Sequence, residues 1–173
     1  MQHCEAKKLG SQTNWKTLGL ADVRDLILPD SKIHEISGAS DTDAALRQVA
    51  KVLGFTEDEQ FKFISTPIGP IQARRDYLLH IVQKRANARE RFAHFAAHTL
   101  SNPLEVWQVM YDDKSFRLSF IGAYPTKYQM LVIINVSKGH MLWHYMNCDK
   151  KSLNKHRAGQ LVYACYKEVL KDA

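Results

Sequence analysis

Histidine side chains spaced to share helix faces are the residues of this chain best suited to proton transfer. The sequence contains eight histidines, and His80 precedes Lys84 by one helical turn, so the two lie on one face of a helix. Arg91, His94 and His98 follow at helical spacing and define a second face. Imidazoles exchange protons near neutral pH, and a guanidinium stabilises developing negative charge. These residues predict acid–base chemistry on an anionic substrate.

A basic segment near the C-terminus is the second group of residues whose types suit chemistry on a substrate. Residues 150–159 read KKSLNKHRAG and contain no acidic side chain. Lys155 and Arg157 are predicted to bind a phosphate, and Asn154 to orient a phosphate oxygen or a base edge. His144, in the stretch MLWHYMN, is a further candidate for proton transfer, with a structural role as the alternative. If this segment faces the helical histidines, the two groups form the halves of one active site.

The inventory of residue types favours cleavage of RNA without a metal. That reaction needs a base for the ribose 2′-hydroxyl, an acid for the leaving 5′-oxygen, and cations at the transition state. The His94–His98 spacing also suits metal binding, but no HExxH context or third ligand accompanies it, so we predict no metal and no cofactor. A polar surface for the helical stripe, and a core position for His80, are the alternatives to catalysis.

The charge distribution predicts a polyanionic partner. The net charge is +6, and acidic residues outnumber basic ones before residue 68, so the positive charge lies in residues 68–173. Nucleic acid is the favoured partner, with a merely soluble basic surface as the alternative. No apolar run is long enough for a membrane span, and the N-terminus has no signal-peptide pattern. With three cysteines and no CxxC pair, we expect a reduced compartment: the cytoplasm, or a target cell into which the chain is delivered.

The elements that must position these residues begin with helices. Apolar residues recur at helical spacing in residues 41–53 and 76–99. We expect the second pattern to break near Arg85–Arg89, because a continuous helix would place both arginines on its apolar side. The break leaves two helices, the first carrying His80 and the second carrying His94.

Alternating patterns replace the helical ones after residue 103. Short polar turns separate four segments that alternate or are wholly apolar, and these predict strands at 104–111, 116–124, 130–136 and 141–147. Residues 159–170 suit a closing helix or a last strand equally. We predict an α+β fold in which N-terminal helices pack on a four-stranded antiparallel sheet. Residues 1–13 are expected to form a flexible tail, and residues 14–173 a single domain composed of a helical extension (14–67) and a basic core (68–173).

Several of these stretches, taken in order, resemble the phage-associated members of the Barnase–EndoU–colicin–RelE-like nuclease superfamily. The resemblance covers roughly residues 14–166, and the order and spacing of the motifs carry it. The matching positions are Trp15, Gly19 and Leu20; His80 and Ile81; Arg91 and Phe92; Thr99, Leu100, Asn102, Pro103, Glu105, Val106 and Trp107; and Leu153, Asn154, Lys155, Arg157, Gly159, Leu161 and Tyr163.

The resemblance implies a nuclease that cleaves RNA, with tRNA among its candidate substrates, and needs no metal. It implies a toxin or effector role in conflict between phage and host or between cells, a cognate immunity protein, and fusion to Mu-F-like head morphogenesis proteins. His80 and Arg91 are the catalytic residues that it transfers most directly, followed by Asn154, Lys155 and Arg157 for substrate. Beside these stand the candidates that only the sequence pattern supplies: His94, His98 and His144 for catalysis, and Lys84 for substrate binding.

Two other functions remain open at the level of the sequence. The first alternative is a non-catalytic module of a phage-derived protein that binds nucleic acid or a partner, and the second is an enzyme of nucleotide transfer. Aromatic residues that stack on bases would serve a ribonuclease and a nucleic-acid-binding module alike. The candidates for stacking, each with a core position as the alternative, are Trp107, Tyr124, Trp143 and Tyr145. Nothing in the pattern predicts an oligomeric state.

Overall fold

A computed structural model describes residues 6–166 of the chain. Helices and strands alternate in the first half, and strands dominate the second. The α-helices are α1 (Thr42–Val52), α2 (Arg75–Val82), α3 (Ala93–Ser101) and α4 (Lys150–Asn154). The strands are β1 (Phe61–Ile64), β2 (Ile71–Arg74), β3 (Glu105–Met110), β4 (Phe116–Gly122), β5 (Gln129–Asn135), β6 (Met141–Cys148) and β7 (Gln160–Ala164). No helix within the described residues is both long and apolar enough to cross a membrane.

The strands form one mixed sheet of seven, in the order β1-β2-β6-β5-β4-β3-β7. The fold is α+β as predicted, but the prediction of a four-stranded antiparallel sheet is wrong. The four expected strands are antiparallel neighbours in the middle of the sheet, and β1, β2 and β7 extend it at both edges. The pairing of β2 with β6 is parallel and rests on Gln72 and Met141. Such short, distant pairings leave no periodic pattern in the sequence.

The sheet separates two apolar clusters. Alternate side chains of β5 point to opposite faces: Val132 and Ile134 join the cluster under α1, α2 and α3, whereas Leu131 and Ile133 join the other cluster. The second cluster also contains Leu153 of α4 and receives the N-terminal arm, which we define as residues 6–26. The two faces of the sheet are therefore covered by different parts of the chain.

The arm contradicts the prediction of a helical extension over residues 14–67. Within that range the structure has one α-helix, α1, one 3₁₀ turn at Val23–Asp25, and the strand β1. Gly19 adopts a positive φ of 67°, a conformation that glycine reaches readily and that is not helical. The arm instead crosses the face of the sheet opposite α1–α3.

Hydrogen bonds attach the described part of the predicted tail to the domain. The Leu9 amide donates to the Met110 carbonyl at 3.1 Å. The side chain of Gln12 accepts a hydrogen bond from the Met110 amide and donates one to the Met110 carbonyl. Residues 7–12 thus run along the end of β3, while residues 1–5 lie outside the described part.

The predicted interruption between the two central helices is present. After α2 the chain makes two 3₁₀ turns, Arg85–Asn87 and Arg89–Phe92, before α3 begins. Between them Ala88 has a positive φ of 41°, an uncommon conformation for a residue with a side chain. The chain can hold it there because ion pairing on either side fixes the segment, as described below.

Candidate active site

The helical histidines and the basic segment 150–157 lie on opposite faces of the sheet. Leu153 of α4 packs with the cluster that contains Leu131 and Ile133, whereas α2 and α3 cover the other face. The prediction that the two groups converge on one groove is therefore wrong. Side-chain direction in β5 decides this, because a helix on one face cannot share a groove with a loop on the other.

Arg157, predicted to bind phosphate, is an interior residue. Its side chain is 1% exposed, and its Nε and Nη2 donate to the two carboxylate oxygens of Glu105 at 2.6 and 2.8 Å. Nη1 donates to the Ala21 carbonyl at 2.8 Å. Glu105 also accepts a hydrogen bond from Trp107 Nε1. A guanidinium so enclosed neutralises a buried carboxylate and is not available to a substrate.

Asn154 is likewise committed to the fold. Its Oδ1 accepts hydrogen bonds from the Val23 amide at 3.2 Å and from Arg157 Nη1 at 3.0 Å, and its Nδ2 donates to Asp22 at 2.8 Å. These bonds join α4 to the arm. Lys155, the next residue, is exposed on the same side of the molecule.

The predicted stripe Arg91–His94–His98 is divided among three environments. Arg91 forms an ion pair with Glu35. His94 is exposed, and His98 is half-buried with its Nδ1 at 2.9 Å from the Tyr124 hydroxyl. Burial lowers the pKa of His98, so its imidazole is a neutral part of the packing between α3 and the sheet.

His144 lies on β6 beside the loop that joins α2 to α3. The imidazole is half-buried, and its pKa is lowered to about 4, first by burial and then by the positive charges of Arg89 and Lys84. It is therefore neutral at pH 7 and able to accept a proton. Within residues 6–166, neither Arg89 nor Lys84 has a carboxylate partner. Two cations beside a neutral imidazole are a site for an anion.

One side of α2 runs along this strand. The ring of Tyr77 lies 5.5 Å from the ring of Trp143 on β6, and Lys84 is close enough to act on His144. His80 follows Tyr77 by three residues on α2 and is exposed, whereas Lys84 lies two residues beyond the end of that helix. Its Nδ1 is 3.1 Å from the Gln83 side chain, and it forms no hydrogen bond with His144. The structure thus places Lys84 beside His144, with His80 exposed on α2, the helix that packs along β6.

A pocket of about 390 Å³ continues this surface past Arg89. None of the described side chains that line it is acidic, and it presents amides, a phenol and guanidinium groups. The polar and aromatic side chains of the lining are Asn87, Arg89, Arg91, Phe92, Tyr128 and Asn147. We call the surface formed by Tyr77, His80, Lys84, Arg89, Trp143 and His144, together with this pocket, the basic cleft.

Buried contacts fix the loop that carries Arg89. Arg85 Nη1 donates to both carboxylate oxygens of Glu90, at 2.6 and 3.0 Å, and Glu90 is 0% exposed. The Tyr145 hydroxyl donates to the Arg89 carbonyl at 2.9 Å. Because these bonds span the loop on both sides of Ala88, the position of Arg89 is set before any substrate binds.

Two residues of the basic cleft were not predicted from the sequence. Arg89 and Tyr77 were not singled out as site residues, although the placement of Arg89 on the apolar side of a helical pattern was a usable signal. Of the four candidate stacking aromatics, Trp143 is half-exposed, and the other three are buried. Among residues 6–166 no cluster of three histidine, cysteine or carboxylate side chains is arranged to hold a metal ion.

A comparison with known protein families gives a match over a large part of the chain. Residues 48–164 match the model of the family described as phage-Barnase-EndoU-ColicinE5/D-RelE like nuclease2. The chain belongs to this family. The match begins inside α1 and ends with β7, so it includes every residue of the basic cleft and excludes the arm, with Trp15, Gly19 and Leu20 of the predicted resemblance. Searches of curated proteins and of solved structures give no match. Membership of the family indicates a nuclease.

Proposed function

We propose that this family member is a metal-independent endoribonuclease whose active site is the basic cleft. The observation that carries the proposal is the environment of His144, a neutral, half-buried imidazole held beside Lys84 and Arg89. A phosphodiester placed between the two cations brings its 2′-hydroxyl to the imidazole, and the cations oppose the charge that develops on the phosphate.

The residues of the cleft divide the reaction as follows. His144 accepts the proton of the ribose 2′-hydroxyl as O2′ forms a bond to phosphorus. The bond from phosphorus to O5′ breaks, and His80 donates a proton to that oxygen. Lys84 and Arg89 stabilise the pentavalent transition state. The products are a 2′,3′-cyclic phosphate and a free 5′-hydroxyl, so neither a metal nor a water nucleophile is required in this step.

Substrate binding raises the pKa of His144, the proposed base. The positive charges of Arg89 and Lys84 contribute to the low pKa of His144. A bound phosphate offsets those charges, so the pKa of His144 rises towards neutrality when the substrate is in place. The imidazole then becomes a stronger base in the complex than in the free protein, and proton uptake accompanies RNA binding below about pH 6.5.

Stacking gives the cleft a preference for single-stranded or unpaired RNA. Trp143 and Tyr77 lie with their ring centroids 5.5 Å apart at one end of the cleft, and Trp143 is half-exposed. An unstacked base can lie against such a pair, which a base inside a duplex cannot do. Loops and ends of folded RNAs, including tRNA, are the substrates that this arrangement favours.

The test is cleavage of matched RNA and DNA oligonucleotides by the purified protein with and without EDTA. We expect RNA to be cut equally in both conditions, DNA to remain intact, and the products to carry 2′,3′-cyclic phosphate ends. A single 2′-deoxy substitution at the cut position should stop cleavage there. Activity that is lost on chelation, or that survives the 2′-deoxy substitution, would refute the mechanism. Tight RNA binding without any cleavage would favour a non-catalytic binding module.

A toxin or effector role follows from the same activity. Cleavage of cellular RNA in a recipient cytoplasm would arrest growth, and a chain of this kind requires an immunity protein in the cell that makes it. We expect induced expression in bacteria to stop growth with the wild-type chain and not with His144→Asn. Growth arrest by both chains would show that toxicity does not depend on the proposed cleavage.

A further inference from the structure

A second basic groove lies where the N-terminal arm crosses the sheet. It is bounded by the arm on one side and by the segment after α4 on the other, with a volume of about 340 Å³. The arm is held there by main-chain bonds, including Trp15 N–H to the Arg157 carbonyl at 3.0 Å, and by a bridge between Asn14 and Ala158. We call this surface the arm groove. Its polar and aromatic side chains are Lys8, Gln12, Asn14, Trp15, Lys16, Asn154 and Lys155.

Among residues 6–166, no carboxylate forms a salt bridge with Lys8, Lys16 or Lys155, and Asp149 acts on Lys155 only at longer range. None of the described residues that line it is acidic. The Lys8 ammonium donates to His156 Nδ1 at 2.7 Å, which is a pairing of two bases in a partly buried position. The pKa of Lys8 is lowered by burial, and that of His156 is lowered to about 4 by burial and by Lys8 and Lys155. A lysine placed this way is costly unless an anion accompanies it.

An aromatic ring lies among these cations. Trp15 is half-buried; Arg157 Cζ lies 5.2 Å from its ring centroid, and Lys16 Nζ lies 5.4 Å from it. Arg157 is interior and supports the ring, whereas Lys16 is exposed and free to move aside. A ring bordered by cations is the arrangement on which single-stranded nucleic acid stacks its bases while the phosphates meet positive charge.

We propose that the arm groove is a second, non-catalytic binding site for a single-stranded segment of the RNA substrate. One base stacks on Trp15, and adjoining phosphates bind Lys16 and Lys155. Lys8 provides a deeper positive charge beneath them. The inference rests on the proposed ribonuclease function, since it takes the same RNA as ligand. The arm lies outside the residues that match the family, so this site is an addition to the nuclease core.

The two sites are too far apart for a short substrate to fill both. β6 carries the basic cleft and β3 borders the arm groove, with β5 and β4 between them. Three strand spacings separate the two sites by about 15 Å. A dinucleotide therefore reaches only the basic cleft, whereas a folded RNA with an unpaired end can engage both.

The test compares the double variant Lys16→Ala/Lys155→Ala with Lys32→Ala/Lys51→Ala, which removes the same charge from exposed positions elsewhere. The ratio of kcat/KM for a tRNA transcript to kcat/KM for a dinucleoside monophosphate should fall about tenfold in the first variant, because two phosphate contacts are lost. The control variant should change that ratio by less than about twofold.

A binding measurement separates this inference from the proposed function. Fluorescence anisotropy with a labelled tRNA and the His144→Asn protein requires no cleavage. There, removing Lys16 and Lys155 should weaken Kd about tenfold and reduce the slope of log Kd against log salt by about 1.4, or about 0.7 for each phosphate contact. Trp15→Leu should weaken binding about tenfold by removing the stacking ring.

Each outcome has a distinct meaning. Equal losses in the test and control variants would show that only net charge matters and would overturn the arm groove as a site. Loss of dinucleotide cleavage in Lys16→Ala/Lys155→Ala would make the arm groove the catalytic site and overturn both assignments. If no preparation cleaves RNA but binding still depends on Lys16 and Lys155, the proposed function fails and the arm groove stands as an RNA-binding site.

Discussion

The Tyr145 hydroxyl donates a 2.9 Å hydrogen bond to the main-chain carbonyl of Arg89, and Tyr145 directly follows His144 on β6. One bond thus connects the strand that carries the proposed base with the loop that carries the proposed cation. Tyr145 is 0% exposed, so water does not compete for the contact. The spacing between His144 and the main chain of Arg89 is therefore a property of the folded protein and is not created by the substrate.

Tyr145→Phe should reduce activity by more than its loss of stability alone would explain. Loss of the hydroxyl leaves a buried carbonyl without its partner and costs about 1–3 kcal/mol of unfolding free energy. Because Arg89 then loses its fixed position, we expect kcat/KM for RNA to fall by about tenfold or more. The measurement is RNA cleavage with a folded sample, together with urea unfolding.

Tyr124→Phe is the matched control. Its hydroxyl also bonds to buried groups, the Phe95 carbonyl and Thr99, but it lies under α3 and away from the basic cleft. It should lose a similar amount of stability and keep its kcat/KM within about twofold. Equal activity losses in the two variants would show that general destabilisation is responsible and that the contact with Arg89 has no special role.

The stability of the protein should fall in mild acid because of His144 and His156. The pKa of each is lowered from 6.5 to about 4, so between these values the unfolded chain binds more protons than the folded one. Unfolding free energy is therefore lost as the pH falls from about 6.5 to about 4, by up to about 3 kcal/mol for each histidine.

Urea unfolding at pH 7 and at about pH 4.5 measures this loss. In His144→Asn the loss between the two pH values should be smaller than in the wild type by about 2 kcal/mol. The exposed His94 provides the control, since His94→Asn should alter the loss by less than about 0.5 kcal/mol. An unchanged loss in His144→Asn would contradict the burial and charge environment assigned to this residue.

Arg157 and Lys155 should behave oppositely on substitution, although they are near neighbours in one basic run. Arg157→Ala leaves the Glu105 carboxylate buried without its cation and should cost about 3–5 kcal/mol of unfolding free energy. Lys155→Ala changes an exposed side chain and should change stability by less than about 0.5 kcal/mol. The midpoints of urea unfolding of the two variants measure both changes in stability. A stable Arg157→Ala protein that had lost RNA binding would restore the phosphate-binding role first predicted for Arg157.

The central strands and the break between the helices could be predicted because both depend on local periodicity. Alternation in β4 and the apolar run of β5 show in the sequence alone, and so do two arginines that a continuous helix would bury. The strands β1 and β2 have four residues each, which is too short for a periodic signal. Whether residues 159–170 would pair as a strand depended on β3, more than forty residues away; β7 covers part of that range, and the rest extends beyond the described residues.

The residues assigned to the basic cleft include three that the sequence named, His80, Lys84 and His144, and their catalytic roles stay predictions. The corrections at Arg157 and Asn154 have one physical cause. The burial of Arg157 depended on Glu105, a distant carboxylate. A lone acidic residue in the apolar strand β3 did call for a buried cation, and that signal was available in the sequence. Which face of the sheet a segment covers depends on long-range packing, which local patterns do not encode.

Single-turnover cleavage of RNA by His144→Asn, beside His94→Asn, tests the central claim most directly. We expect the cleavage rate to fall by about 10² to 10⁴ in His144→Asn, with RNA affinity and the circular dichroism spectrum retained, because only the proton acceptor is lost. His94→Asn should cleave at the wild-type rate, since this residue is exposed and does not line the pocket of the cleft. A folded His144→Asn protein that cleaves RNA within about threefold of the wild-type rate would contradict the account.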